Sequence, residues 1–312
     1  MKRKTCRREF IKTGLTLGAA AAIGGSRVQE LLALQTGQNP DIGVVKGTDY
    51  FANTEKAVGL VGGMAKFVPK GGRVGLLVNA PQWWKLPGSH VNTDIILATV
   101  KMVLDAGAKE IVYLWSPSLS MWSRSPLSVK YDAEIRGIRP HSGNYVETSV
   151  KDGLALKKGK IVKDLFDCDA WIDISVSKDH AGTRFSCCLK NYMGTCSGDT
   201  NRFFHFGSGK NRGEYDDVDF LSQCIADVNT LRKPDLSIAD ATVVLATNGP
   251  AGPGDLVRPQ KIVAGRDVVA VDTYCAGLLG RNPTEIAMLK KAVDRGLGRT
   301  DLGAISIKEI SA

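Results

Sequence analysis

Arg73-Val74-Gly75-Leu76-Leu77-Val78 and Ile111-Val112-Tyr113-Leu114-Trp115 are two short apolar runs, the first set between Gly71-Gly72 and Pro81. Runs of this length between glycine and proline read as strands buried on both faces. Between them, Thr93 can cap a helix that carries Ile96, Val100, Val103 and Leu104 on one face and stops at Gly107. Strand, helix and strand at this spacing make a βαβ unit, the connection that parallel strands require. The class is therefore α/β: a mostly parallel sheet built from βαβ units with flanking helices, in a chain long enough for two lobes.

Outward from that unit, further strands are expected at Trp171–Val176, Ala241–Thr247 and Asp267–Val271. Helices are expected at Asn53–Val68, Asp216–Leu231, Thr273–Gly280 and Pro283–Gly296, and Leu154–Val162 reads as a hairpin with a lysine-rich turn. The 312 residues are 43% hydrophobic and 23% charged, which excludes disordered and fibrous classes.

The formal charge of +9 is concentrated at the start of the chain. Residues 1–26 hold six basic side chains (Lys2, Arg3, Lys4, Arg7, Arg8, Lys12) and one acid, Glu9, leaving +4 for the rest. With no basic stripe elsewhere, no nucleic-acid partner is expected. The basic segment runs into an uncharged Ala/Gly/Leu-rich stretch, the layout of an export signal. Cys6-Arg7-Arg8-Glu9-Phe10-Ile11-Lys12 resembles a twin-arginine signal, with Cys6 where Ser or Thr is usual. That resemblance implies the twin-arginine translocase as a partner during export, and a periplasmic or cell-envelope location. The apolar stretch is too short to span a bilayer, so no stable membrane span is expected after cleavage near Ser26. The expected division is a signal peptide at 1–26, a lead-in with a helix at 27–69, and an α/β domain at 70–312.

Six cysteines follow the signal: Cys168, Cys187, Cys188, Cys196, Cys224 and Cys275. None forms a C-x-x-C pair, so a four-cysteine iron–sulfur cluster is not expected. Cys187 and Cys188, placed on a strand, would point to opposite faces and would not share a metal. They read as small buried apolar residues.

Three polar segments follow expected strands, where ligands bind in open α/β sheets. The first is Ser177-Lys178-Asp179-His180, continuing through Gly182 and Lys190-Asn191-Tyr192-Met193-Gly194 to His205. The second is Asn248-Gly249-Pro250-Ala251-Gly252-Pro253-Gly254, preceded by Asp240. The third is Asp272, read as capping the next helix. His180, Lys190 and His205 are the catalytic candidates, with His180 and His205 also able to ligate a metal. Lys178, Asn191, Asp240, Asn248, Gly249 and Asp272 are candidates for binding a small anionic ligand. Lys190 lies in an apolar run, so its ammonium needs a carboxylate or a ligand, and Asp240 is the preferred partner, with Asp272 as the other. Trp83, Trp84, Lys85 and His90 can either line the cleft or pack beneath it.

The succession of Ser177-Lys178-Asp179-His180, Gly182, Lys190-Asn191, Gly194, His205, Ile238-Ala239-Asp240, Gly249-Pro250 and Ala264-Gly265-Arg266-Asp267 with Asp272 resembles the domain of unknown function 362 family. Val91-Asn92-Thr93 and Asp105-Ala106-Gly107-Ala108-Lys109 fit its first βαβ unit. The resemblance runs from about residue 70 to the C-terminus and implies the fold rather than a reaction. A looser likeness is to the lactate racemase family, in which His, Gly, Lys and His follow in the order of His180, Gly182, Lys190 and His205. The glycine and proline pairs that flank that lysine are absent here. Two functions stay open: an exported enzyme doing acid–base or redox chemistry on a small anion or with a metal or cofactor, and a ligand-binding accessory protein without turnover. The cofactor is not specified by the sequence.

Overall fold

The computed structural model describes residues 39–81, 86–207 and 217–312. The signal-like segment 1–26 and Trp83, Trp84 and Lys85 lie outside the described residues. The chain runs β1 (Ile42–Lys46), α1 (Tyr50–Leu60), β2 (Arg73–Val78), α2 (Thr93–Asp105), β3 (Glu110–Tyr113), α3 (Asp132–Arg136), β4 (Tyr145–Ser149) and β5 (Lys158–Val162). It continues through α4 (Lys163–Asp167), β6 (Ala170–Val176), α5 (Cys188–Asn191), α6 (Gly198–Phe206), α7 (Val218–Asn229), β7 (Leu236–Ala241), β8 (Val244–Leu245) and β9 (Leu256–Val257). It ends with β10 (Lys261–Gly265), α8 (Val268–Leu278), α9 (Ala287–Asp294) and β11 (Ile307–Ser311).

Seven strands form the main sheet in the order β11-β1-β10-β7-β6-β2-β3. Only β10 runs against the others, pairing antiparallel with β1 and β7. The expected βαβ unit is β2-α2-β3, with Val74 opposite Ile111 in parallel register. Its cap lies one residue before the expected one: the Asn92 side chain accepts from Asp94 N at 2.9 Å, and Thr93 is the first helical residue. It stops before Gly107, whose φ of +91° is the left-handed conformation that suits glycine.

Strand alternation divides the core in two. Val74, Leu76, Val78, Ile172, Ile174 and Ile238 face the layer of α1 and α2. Leu77, Trp171, Ala239 and Val263 face the layer of α5, α7, α8 and α9. In β6 the second face also carries two buried polar residues, Asp173 and Ser175, which apolar packing does not explain.

Several expectations change. Ile42–Lys46, from the stretch expected to be a lead-in, is a strand inside the main sheet, paired on both sides. The helix expected at Asn53–Val68 starts earlier, capped by Asp49, and is broken by Gly62 and Gly63, both at positive φ. Asp267–Val271 is not a strand. The Asp267 side chain accepts from Ala270 N at 2.9 Å and opens α8, so the valine-rich run is helical. This helix is buried on nearly all sides, which removes the apolar/polar periodicity that would mark it in the sequence. The strand expected at Ala241–Thr247 lies earlier, at β7, and Val244–Leu245 belongs to a separate small ladder with β9. The hairpin near Leu154 is built from β4 and β5, so Leu154 lies in the connection between them.

Candidate functional site

β2 and β6 are neighbours, yet the chain leaves β2 toward β3 on one side and β6 toward β7 on the other. Their carboxyl ends are the sheet's switch point, where open α/β sheets form a crevice. Asn79 follows β2 directly, and Ser177-Lys178 follow β6. A chain of side-chain hydrogen bonds crosses this point. Lys178 Nζ donates to Asn79 Oδ1 at 3.1 Å and to the Ser89 carbonyl at 2.5 Å. Asn79 Nδ2 donates to Asn191 Oδ1 at 3.0 Å. Asn191 Nδ2 donates to Asp173 Oδ1 at 2.7 Å and to the Leu77 carbonyl at 3.3 Å. An amide offers donors on one side and an acceptor on the other, so the ammonium at one end orients the whole series.

Against this chain lies a cleft of about 380 Å³, lined in part by Asn79, Trp115, Tyr145, Lys190, Asn191 and Asn201. A roomier depression of about 570 Å³ among Tyr113, Leu119, Trp122 and Ile138 lacks such converging polar groups. Lys178 is 0% exposed, and burial followed by the Lys190 charge pulls its ammonium well below the ordinary lysine range. His180 is buried too. Burial, then the charges of Lys190, Lys178 and His205, push its imidazole down to about 2. Its Nδ1 accepts from Gly182 N at 3.0 Å, which leaves the proton of the neutral ring on Nε2. Chemically, the region combines a lysine that gives up its proton more readily than an ordinary one, a neutral imidazole donor and the half-buried Lys190 at the cleft wall.

Behind the cleft, α5 begins with two cysteines. Cys187 caps the helix and Cys188 opens it, and their sulfurs lie 3.9 Å apart. The expectation that they diverge is thus overturned, because the chain turns into a helix here and does not continue as a strand. Asp272, from the middle of α8, accepts from Cys188 N at 2.9 Å and Leu189 N at 3.0 Å. It caps a helix, as expected, but α5 and not the one that follows it. The donor atoms of Cys187, Cys188 and Asp272 lie within 4.8 Å of one another, and all three residues are buried. Cys275, also fully buried, stands close enough for its thiol and that of Cys187 to influence each other. Burial pushes the Cys188 thiol and the Asp173 and Asp272 carboxyls well above their usual ranges.

The structure thus gathers Lys178, His180, Lys190, Asn191 and His205 at one edge of the sheet. Asp240 is set apart. Its carboxylate accepts from Asn92 N at 2.7 Å, Thr242 N at 2.9 Å and Thr242 Oγ1 at 2.6 Å. Among the described residues no ion pair joins Lys190 to Asp240 or Asp272, because Asp240 points to the α2 face while Lys190 lies on the α5 side. Asn248 and Gly249 belong to the β8–β9 connection: Gly249 N donates to Asp179 Oδ2 at 2.9 Å and Asn248 Nδ2 to the Pro253 carbonyl at 3.1 Å. Those groups are engaged within the protein rather than held open for an anion. No group of three metal-capable donors among the described residues includes His180 or His205. Sequence reading missed Asn79 and Asp173. An acid at an alternating position inside a largely apolar strand was the available signal for Asp173, and an amide directly after a strand was the signal for Asn79.

Among solved structures, the lactate racemase apoprotein of Thermoanaerobacterium thermosaccharolyticum aligns with a TM-score of 0.43 and 13% identity, covering 80% of this chain and 56% of that one. A Thermotoga maritima protein aligns with a TM-score of 0.42 and 13% identity, covering 75% and 60%. The chain spans less than two thirds of either structure. A thylakoid-associated protein of Synechocystis sp. is 26% identical over 254 residues, 77% of this chain and 73% of that protein. Residues 74–277 match the family described as Domain of unknown function (DUF362), and the chain belongs to that family.

Proposed function

We propose that this is an exported protein of the cell envelope that binds a small anionic substrate in the switch-point cleft and carries out acid–base chemistry on it. The observation that carries this reading is the convergence of Lys178, His180, Lys190 and His205 beside the cleft, close enough that their charges act on one another. The Lys190 ammonium at the cleft wall makes the local potential positive and favours an anion. Lys190 takes the substrate's negative group. Lys178, held by Asn79, exchanges the proton, which burial and the Lys190 charge make easier to release than from an ordinary lysine. His180, neutral at any physiological pH, donates a hydrogen bond and does not act as the base.

The test is calorimetric titration of the purified protein with inorganic phosphate and with a set of small mono- and dicarboxylates. At least one should bind saturably, with salt-sensitive affinity that falls about tenfold, some 1.4 kcal/mol, in Lys190→Met. Absence of saturable binding, or identical binding by Lys190→Met, overturns the reading. Carriage without turnover is separated by incubating a bound carboxylate in D₂O. Deuterium appearing at a carbon marks acid–base turnover, and its absence marks an accessory binding protein.

A further inference from the structure

We propose that Cys187, Cys188 and Asp272, with Cys275 beside them, form a buried site for one thiophilic d¹⁰ cation of the zinc type. Tetrahedral zinc with Zn–S bonds of about 2.3 Å holds two thiolate sulfurs about 3.8 Å apart. The Cys187 and Cys188 sulfurs stand at 3.9 Å, so the pair is already spaced for one ion. The Asp272 carboxylate completes a three-donor set within 4.8 Å. Its two bonds from backbone N–H fix its orientation and leave lone pairs for a metal, as outer-shell donors do around metal ligands.

The charge arrangement points the same way. Asp272 and Asp173 are both buried, and among the described residues no Lys, Arg or His forms an ion pair with either. Buried carboxyls ordinarily meet a cation or coordinate a metal. A divalent ion here replaces two thiol protons, which leave to solvent, so the net charge of the cluster is unchanged while a cation comes to stand directly against the Asp272 carboxylate. Every donor residue is 0% exposed, so the ion enters as the chain folds and not afterwards. The site lies at the start of α5, whose other end carries Lys190 and Asn191, and the ion would pin the helix that positions both. This inference is independent of the anion-binding reading, since the metal is measured without any cleft ligand.

The full chain is expressed, purified without chelator and analysed for metals. We expect about one zinc per chain, retained through dialysis. Expression in cobalt-supplemented medium should give an intense near-ultraviolet thiolate-to-cobalt band. That band should disappear in Cys187→Ser and Cys188→Ser and survive in Cys224→Ser, whose thiol belongs to α7. If the cluster variants do not fold, X-ray absorption of the wild type still decides, with at least two sulfur neighbours expected around the metal. Substoichiometric metal with no cobalt band, or a two-dalton mass loss marking a disulfide among these cysteines, overturns the proposal.

Discussion

Lys178 and Lys190 differ in how they are held, and that difference separates their variants. Lys178 is enclosed and donates to two oxygens, so Lys178→Met leaves Asn79 Oδ1 and the Ser89 carbonyl short of a donor. A cost of about 1–3 kcal/mol is expected, together with loss of turnover. Lys190 is half-buried at the cleft wall, so Lys190→Met should change stability by less than about 1 kcal/mol while weakening anion binding. Paired thermal melts and titrations check both, and a Lys190→Met protein that melts far lower yet binds normally would make that lysine structural. His180 gives a pH signature. Its folded pKa of about 2 lies below the ordinary value near 6.5, so below that pH the unfolded chain takes up a proton that the folded one refuses. Stability is therefore lost as pH falls from about 6.5, reaching about 2–3 kcal/mol at a pH near 4.5. His90, lowered to about 4 chiefly by burial, adds a similar but smaller loss. The raised carboxyls of Asp173, Asp240 and Asp272 act in the opposite direction, losing stability as pH rises. The clean comparison is the slope of unfolding free energy against pH in His180→Gln and wild type, where these shared terms cancel and the variant should be flatter.

Short connections at the strand ends hold the elements in place. Asp240, at the end of β7, accepts from the cap residue of α2 and from Thr242, joining strand, helix and the following loop. Asp240→Ala leaves these donors unpaired and should destabilise by about 2–4 kcal/mol with anion binding intact. Urea unfolding with and without phosphate checks this, and a stable Asp240→Ala protein that no longer binds would return the residue to the site. Gly249 illustrates close approach between loops. A Cβ there would sit 1.7 Å from the Asp179 carbonyl oxygen, a backbone atom that cannot swing aside. Gly249→Ala should lift the β8–β9 connection off the Asp179–His180 segment and cost more than about 2 kcal/mol, seen as a lower Tm and faster proteolysis of residues 247–255.

At the scale of the whole molecule, the sheet closes only when residues before 70 and after 300 join it. β11 pairs with β1, and β1 with β10, so the edge farthest from the cleft is made from both ends of the described chain. On the proposed export after folding, this closure, and any ion buried behind α5, would cross the membrane already formed. Replacing Arg7 and Arg8 together by Lys should leave full-length precursor in the cytoplasm, visible by fractionation and blotting. Unchanged export of that variant, or loss of export only when the general secretory route is blocked, would remove the twin-arginine proposal.

The sequence alone determined the α/β class, the β2-α2-β3 unit and strand β6. These are local statements: apolar run length, a capping polar residue and a terminating glycine act within one or two turns of chain. Where burial surrounds an element, as in α8, no periodicity survives to identify it, and the valines there read as a strand. Partner choice was not local either. Lys190 and Asp240 both stand near strand ends, but which face of the sheet each side chain takes depends on register and on the helix packed above it. Only the tertiary structure decided that Asp240 bonds to the start of α2, that Asp272 caps α5, and that Asn79 and Asp173 join Lys178 in one hydrogen-bonded series. It also turned Cys187 and Cys188 toward each other, because the chain bends into a helix at that point, and a bend of one residue reverses the alternation on which the strand reading rested.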